Sequence, residues 1–165
     1  MNKILRYVFV ALLAVVSNAS FAADAEPEVT LDFTSNDVWK LPTKYAKDKA
    51  TFSNGTYTIT LEAASSGYKF NDYKGSESLI FGKKDATLTL PAFNFDVERI
   101  DIVGTSSASD KTTQNIFVDG NPVSTETTGA KGTNCYVIAE ASQKKGTIYT
   151  LKVTNANNSQ ISKIL

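Results

Sequence analysis

The fold is indicated first by the stretch SNGTYTITLEA, residues 53–63. Its Asn54-Gly55 pair tolerates the positive φ angles of a type I′ hairpin turn, so a tight chain reversal is expected here. After the turn, apolar side chains occupy every second position from Tyr57 to Ala63, with threonine or glutamate between them. A period of two places alternate side chains on opposite faces of a strand. The stretch therefore predicts a hairpin whose second strand has one buried and one solvated face.

The same alternation recurs along the rest of the chain, in short runs that turn residues separate. The one helical candidate after the N-terminal segment, residues 36–48, is interrupted by Pro42 and is interpreted as a loop. Roughly nine to eleven short strands at this spacing predict an all-β protein, either a two-sheet antiparallel β-sandwich or a barrel. The runs interpreted as strands are Val29–Phe33, Tyr57–Ala63, Tyr68–Phe70, Leu79–Phe81, Ala86–Leu90, Val97–Val103, Ile116–Val118, Asn134–Ala139, Thr147–Thr154 and Gln160–Leu165.

A second hairpin is predicted at Asp119-Gly120, another pair that accepts positive φ angles. Pro122 follows on the return strand and lacks an N–H group, so it is expected at the edge of a sheet. The final run stops at Leu165. These positions indicate two candidate sites for pairing with another chain, the edge strand around Pro122 and an unfinished last strand at Leu165.

The N-terminal segment has the layout of a secretory signal peptide. Two basic residues precede an apolar stretch at 8–16, and Ser20 and Ala22 are small residues at the −3 and −1 positions of a cleavage site. The apolar stretch is too short for a permanent membrane span. We therefore expect residues 1–22 to be a signal peptide and residues 23–165 to form a single domain. The expected location is secreted or periplasmic.

The composition excludes several kinds of catalytic centre. The chain has no histidine, which rules out a Ser-His-Asp triad, a Cys-His pair and every His-containing zinc site. Its single cysteine, Cys135, cannot form an internal disulfide, and the strand-like surroundings predict a buried, inert thiol. We therefore expect no catalytic residues, and the protein is predicted not to be an enzyme.

The charge balance argues against polyanionic partners. Removal of residues 1–22 takes away two of 17 basic side chains and leaves 15 against 17 acidic ones. A chain this close to neutral has no electrostatic footprint for nucleic acid or for an anionic membrane surface. Neither a nucleic-acid partner nor stable membrane insertion after signal cleavage is expected.

The second half of the chain resembles a known group of domains. The segments Ile116–Val123 and Gly146–Leu165 resemble the C-terminal half of galactose-binding-like jelly-roll domains, an architecture common among carbohydrate-binding modules of secreted bacterial proteins. The runs Leu88–Phe93 and Val97–Ile102 are similar to small domains appended to bacterial extracellular hydrolases. The resemblance implies a β-sandwich of jelly-roll type and a carbohydrate ligand, and it implies fold more firmly than ligand.

Sugar recognition requires rigid aromatic faces together with amide or carboxylate groups. The single tryptophan lies in a non-strand segment, and the loop 71–75 combines polar groups with an aromatic ring. Two alternatives stay open: the tryptophan fills one end of the core, and the tyrosines pack across strands. The predicted ligand-binding residues are Trp39, Tyr68, Asn71, Asp72 and Tyr73. The tyrosines inside strand runs, assigned to structure, are Tyr57, Tyr136 and Tyr149.

The remaining polar candidates are interpreted as structural. The carboxylate pairs Asp72 with Glu77 and Glu98 with Asp101 are the kind of groups that hydrolyse glycosides, but their spacing favours solvated surface acids. Arg99 is expected to be an ion-pair partner on a strand. The Asp- and Asn-rich turns would allow a structural calcium ion, and the sequence contains no EF-hand loop.

These observations predict a secreted, non-catalytic binding domain for carbohydrate. The alternative is a structural or protein-interaction domain of the cell envelope or of an extracellular assembly, acting through one of the two candidate sites for pairing. A glycoside-acting enzyme ranks third.

Overall fold

The computed structural model describes residues 29–63, 65–105, 111–128 and 131–165, and the predicted signal peptide lies outside these ranges. The described residues form thirteen β-strands and a short 3-10 helix at Glu140–Ser142. The strands are β1 (Leu31–Asp32), β2 (Ala50–Ser53), β3 (Thr58–Glu62), β4 (Gly67–Asn71), β5 (Ser78–Gly82), β6 (Thr87–Thr89), β7 (Arg99–Gly104), β8 (Thr113–Val118), β9 (Asn121–Pro122), β10 (Thr127–Thr128), β11 (Gly132–Val137), β12 (Thr150–Val153) and β13 (Ser159–Ile164).

The strands form two antiparallel sheets that face each other. In the first sheet the order is β11-β7-β13-β5-β4, and β1 pairs with β13 next to β5. In the second sheet the order is β10-β8-β12-β6-β3-β2, and β9 also pairs with β8. The prediction of a two-sheet antiparallel β-sandwich is confirmed, and the barrel alternative is wrong.

The core consists of the apolar side chains that the period of two directs between the sheets. In β3, Ile59 and Leu61 are fully buried, whereas the threonine and glutamate positions on either side face solvent or are half-buried. Leu88 of β6 and Leu151 of β12 continue this buried layer across the second sheet. Each such side chain contributes about 1.5–3 kcal/mol when it is removed from water, so the alternation determines which face turns inward.

The chain crosses between the sheets repeatedly, and the alternating strand directions gather several connections at one end of the sandwich. We call this the loop end. It comprises the turn 54–57, the loops 72–77 and 90–98, the turn 119–120 and the segment 138–149. Contacts among these connections confirm the grouping of some of them, since the Gly146 N–H donates to the Phe93 carbonyl oxygen at 2.8 Å.

The two predicted hairpins are present, with different turns. Asp119 and Gly120 have φ angles of 49° and 79°, as a type I′ turn requires. At the first hairpin only Gly55 has a positive φ, and the connection contains four residues. The difference arises because the Asn54 side-chain oxygen accepts hydrogen bonds from the backbone N–H groups of Thr56 and Tyr57, at 3.1 and 2.8 Å. This Asx-type arrangement replaces the two-residue turn.

One of the two candidate sites for pairing is confirmed as an edge and the other is wrong. Pro122 lies in β9, which pairs with β8 alone among the described strands. The last strand, β13, is not at an edge of the sheet, because it lies between β7 on one side and β5 with β1 on the other. Ile161 and Ile164 are buried, so burial of the apolar face of β13 explains its central position.

Close packing at Gly67 joins the segment 42–46 to β4. Gly67 has a φ angle of 89°, and a Cβ atom there would lie 2.6 Å from the Ala46 carbonyl oxygen. Gly55 has a similar φ of 93° but has open space around the position of a Cβ atom. A comparison of the two glycines therefore separates the cost of the left-handed backbone conformation from the cost of the steric contact.

We expect Gly67→Ala to lower the free energy of unfolding by roughly 2 kcal/mol or more, because a left-handed conformation and a backbone clash add together. Gly55→Ala is the matched control and should cost about 1 kcal/mol, from the conformation alone. Urea denaturation followed by circular dichroism measures both values. Equal losses in the two variants would contradict the close contact with Ala46.

Candidate functional site

The structure places Trp39 in the core. Its side chain is 1% exposed, its ring stacks on Phe33 at a centroid distance of 5.2 Å, and its Nε1–H donates to the Asp32 carbonyl oxygen at 2.7 Å. The indole therefore has both its apolar surface and its polar group satisfied inside the protein. This is the alternative that the sequence left open, and it removes Trp39 from the candidate site.

Tyr68 is also buried, at 2% exposure, because β4 directs it between the sheets. Its hydroxyl donates to the Asp48 carbonyl oxygen at 2.7 Å, and its ring contacts Phe52 edge-on at 5.9 Å. Desolvation, followed by the negative charge of Asp48, raises the pKa of this phenol. Tyr68 accordingly stabilises the fold and presents no surface to a ligand.

The loop after β4 contains the three other predicted residues. Asn71 uses its side-chain amide to donate to the Ser76 carbonyl oxygen at 2.7 Å, which closes the loop. Asp72 is exposed, and the Tyr73 side chain is 73% exposed. Two of the five predicted residues, Asp72 and Tyr73, thus present side chains to solvent, while Asn71 holds the loop that carries them.

A cavity of about 550 Å³ opens at the loop end. Three aromatic rings form its apolar part: Phe93 stacks on Phe95 at 5.3 Å, and Tyr57 meets Phe93 edge-on at 6.1 Å. Phe93 is nearly buried, whereas Tyr57 and Phe95 are half-buried and keep part of their surface accessible. The residues that line the cavity are Thr56, Tyr57, Thr58, Pro91, Ala92, Phe93, Asn94 and Phe95.

The loop 90–98, which carries Phe93 and Phe95, is attached to the rest of the sandwich on both sides of these two rings. The Leu90 N–H donates to the Tyr149 carbonyl oxygen at 2.8 Å, and the Asp96 carboxylate accepts from the Lys145 N–H at 2.7 Å. Between these anchors, the Phe93 carbonyl oxygen accepts from Gly146. The rings of Phe93 and Phe95 are therefore carried by a backbone with three tertiary hydrogen bonds, which restrict its movement.

Sequence reasoning missed this cavity for two reasons. Tyr57 begins a regular alternation and is assigned to structure by its pattern, while the run PAFNF at 91–95 follows the predicted strand Ala86–Leu90 and is singled out only by the family resemblance. The available signal was the pair of phenylalanines on either side of Asn94, two and four residues after the proline that ends the strand. The pairing with Tyr57 comes from a segment more than 30 residues earlier in the chain, and only the tertiary structure reveals it.

Cys135 is exposed, so the prediction of a buried thiol is wrong. The residue lies on β11 with its side chain on the outer face of the first sheet, opposite Asp101 of β7. Partial desolvation, and then the hydrogen bond and negative charge of Asp101, raise the pKa of the thiol, while Arg99 opposes the shift. The thiol is accessible but is held in its protonated, less nucleophilic form.

The predicted ion-pair role of Arg99 is confirmed, since its guanidinium donates to the Asp101 carboxylate at 2.6 Å. The Asp101 side chain is buried beneath this contact, with one carboxylate oxygen that has no hydrogen-bond partner. A carboxylate committed to an arginine in this way is poorly placed to act with Glu98 on a glycosidic bond.

Metal ligands are not gathered in the ranges that the structure describes, where no three Cys, Asp or Glu side chains could together hold an ion. In the Asn-rich turn after β12, the side-chain amides of Asn155 and Asn157 both donate to the Lys111 carbonyl oxygen, at 2.6 and 2.9 Å. The structural calcium ion stays a prediction. Across the same described ranges, no helix has the length and apolar character needed to cross a membrane.

We expect Trp39→Ala to lower the free energy of unfolding by roughly 3–5 kcal/mol, because it leaves a large cavity in a packed core. Tyr73→Ala should change the free energy of unfolding by less than about 0.5 kcal/mol, because Tyr73 is largely exposed. Urea denaturation compares the two variants. A stable Trp39→Ala protein would show that the indole is not a core residue.

We expect Asp101→Asn to speed the alkylation of Cys135 by iodoacetamide at pH 8. Removal of the negative charge lowers the thiol pKa, so a larger fraction is thiolate at this pH and the rate profile shifts to lower pH. Glu98→Gln is the control, because it removes a nearby charge that does not act on this thiol. An unchanged profile, or a shift to higher pH, in Asp101→Asn would contradict the assigned cause.

The candidate site rests on the positions of the described residues and on no similarity to a known protein. The sequence matches no protein-family model, and neither a curated protein nor a solved structure matches it. What the described residues present at the loop end is an aromatic cavity, with an exposed tyrosine and an exposed aspartate in a neighbouring loop.

Proposed function

We propose that the protein is an exported, non-catalytic carbohydrate-binding domain of jelly-roll type, and that its ligand occupies the loop-end cavity. The observation that carries the proposal is the group of three rings formed by Tyr57, Phe93 and Phe95. The cavity volume of about 550 Å³ lies within the range of small-molecule sites, roughly 300–1,000 Å³. A segment of a glycan is a ligand of suitable size.

The chemistry of the lining suits a sugar. The C–H face of a pyranose ring packs on flat apolar surface, and its hydroxyl groups require hydrogen-bonding partners around that surface. Phe95 offers a partly accessible ring face, and Asn94, Thr56 and Thr58 are exposed polar residues around the rings. Phe93 is buried behind Phe95, so it supports the stacking ring and restricts its movement.

The lining also favours binding over hydrolysis. Glycoside hydrolysis in most families uses two carboxylates on either side of the scissile bond. None of the eight residues that line this cavity is an aspartate or a glutamate. The nearest acid in sequence, Asp96, accepts a hydrogen bond from the Lys145 backbone.

Asp72 and Tyr73 extend the proposal to longer ligands. Strand directions place their loop at the same end of the sandwich as the cavity. An exposed ring with a neighbouring carboxylate is a second surface on which a sugar unit of an oligosaccharide can pack. The two predicted residues with exposed side chains would then contact a part of the glycan outside the cavity.

We expect Phe95→Ala to weaken binding to the recognised polysaccharide roughly 10-fold to 100-fold, because it removes the accessible stacking face. Isothermal titration calorimetry with a panel of soluble neutral and acidic polysaccharides identifies the ligand and measures the loss. Phe117→Ala is the matched control, since Phe117 is a half-buried phenylalanine, like Phe95, but does not line the cavity.

If no polysaccharide binds and the protein elutes from size-exclusion chromatography as a dimer, the proposal fails. The alternative of a structural or protein-interaction domain would then replace it. A glycan that binds equally well to wild type and Phe95→Ala would sink the cavity assignment instead. Circular dichroism of each variant confirms that a loss of affinity is not a loss of folding.

A further inference from the structure

The segment 42–46 contacts the outer edge of β4 through backbone hydrogen bonds. The Phe70 N–H donates to the Pro42 carbonyl oxygen at 2.8 Å, and Ala46 and Tyr68 exchange two backbone hydrogen bonds at 3.0 and 2.7 Å. The close packing at Gly67 sets the distance between the two backbones. The segment therefore borders the first sheet at Pro42 and Ala46, on the side remote from β11. We call residues 40–49 together with Lys69 the basic edge.

The basic edge concentrates positive charge in a chain whose formal net charge is zero. Residues 40–49 contain four lysines and one aspartate, and β4 adds Lys69, so five positive charges and one negative charge give a net +4. In the part of the chain that the structure describes, none of these lysines forms a salt bridge. The four lysines of the segment, all exposed, are Lys40, Lys44, Lys47 and Lys49.

An aromatic ring lies within this charged surface. Tyr45 is 52% exposed, and the Lys69 ammonium group lies 5.3 Å from the centroid of its ring. This cation–π contact holds the ring and an ammonium group close together on the protein surface. A stacking face beside several unpaired ammonium groups is the arrangement that complements a sugar carrying a negative charge.

We propose that the basic edge binds an acidic polysaccharide, a chain whose sugar units carry carboxylate or sulfate groups. The carboxylates or sulfates contact the lysines, and one sugar ring packs on Tyr45. This site shares no residue with the lining of the loop-end cavity, and its existence does not depend on the function proposed for that cavity.

Nucleic acid fits the surface less well. A DNA duplex carries one negative charge per about 1.7 Å of its axis, and the proteins that bind it neutralise many phosphates at once. The basic edge offers five lysines and includes the exposed Asp48, which is a small number of positive charges for so densely charged a polymer. An acidic polysaccharide, with about one charge per sugar unit, is the better electrostatic match.

The test uses polygalacturonate and its fully methyl-esterified form, two polymers that differ in charge on the same sugar backbone. Calorimetry should show the purified protein binding polygalacturonate at 50 mM NaCl, with little binding to the ester. Raising the salt to about 0.5 M should weaken binding at least roughly 10-fold, because exposed charges are screened. Equal affinity for the acid and the ester would overturn the proposal.

Two variants locate the site. The triple variant Lys44→Gln, Lys47→Gln, Lys69→Gln should weaken binding roughly 10-fold or more, and Tyr45→Ala roughly 2-fold to 5-fold. These lysines form no salt bridges among the described residues, and an unchanged melting temperature of the variants would show that folding is intact. The control triple variant, with the same change in charge at exposed lysines outside the edge, is Lys83→Gln, Lys84→Gln, Lys111→Gln.

Each remaining outcome is decisive. An equal loss in the control triple variant would reveal nonspecific attraction and overturn the proposal. Tighter binding to a DNA duplex or to phosphatidylglycerol vesicles than to polygalacturonate would overturn the choice of partner. Loss of polygalacturonate binding in Phe95→Ala, with none in the edge variant, would assign the acidic glycan to the cavity and reject the basic edge. A neutral glycan that depends on Phe95 alone, without polygalacturonate binding, would leave the cavity proposal intact and reject this one.

Discussion

The rest of the structure depends on the insertion of β13 between strands that come from distant parts of the chain. On one side it pairs with β7, and on the other with β5 and β1, while the Phe33 N–H donates to the Ser162 carbonyl oxygen at 2.7 Å. Its inward face buries Ile161 and Ile164. Without β13, the first sheet would separate into β4-β5 and β7-β11, and the second sheet would lose part of its apolar cover. Such pairing is non-local, so these contacts carry a high cost in loop-closure entropy that burial must offset.

Once the two sheets are packed, they leave few places for ligand binding. The outer face of the second sheet is formed largely by threonines that pair with one another, with Oγ1–Oγ1 distances of 3.1 Å for Thr51 and Thr60 and 3.4 Å for Thr89 and Thr150. Hydroxyl groups that satisfy each other across strands stabilise a sheet and keep its surface soluble. The group of three rings and the lysines without salt bridges in the described ranges are found instead at the loop end and at the β4 border, where the chain is not constrained by a cross-strand partner on each side.

The two proposed binding surfaces differ in their physical basis. The loop-end cavity depends on shape, because three aromatic rings line an open concave surface with polar groups around it. The basic edge depends on charge, because its lysines have no acidic partners among the described residues and its ring is already associated with an ammonium group. The cavity would discriminate among sugars by their shape, whereas the basic edge would discriminate among polymers by their negative charge. Only binding at the basic edge should weaken strongly as the salt concentration rises, because salt screens exposed charges.

The sequence by itself determined the all-β class, the inward faces of strands such as β3, the Asp119-Gly120 turn and the edge position of Pro122, because each depends on neighbours two or three residues away. It also assigned Tyr136 and Tyr149 to structure, and both are buried, and it indicated correctly that Arg99 forms an ion pair. Only the tertiary structure decided that Trp39 and Tyr68 are buried, that Cys135 is exposed, and that Tyr57 joins Phe93 and Phe95 around one cavity. The physical reason is that periodicity specifies which side chains share a face of a strand. Pairing between segments tens of residues apart decides whether that face packs against the other sheet, contacts a loop or is exposed to solvent.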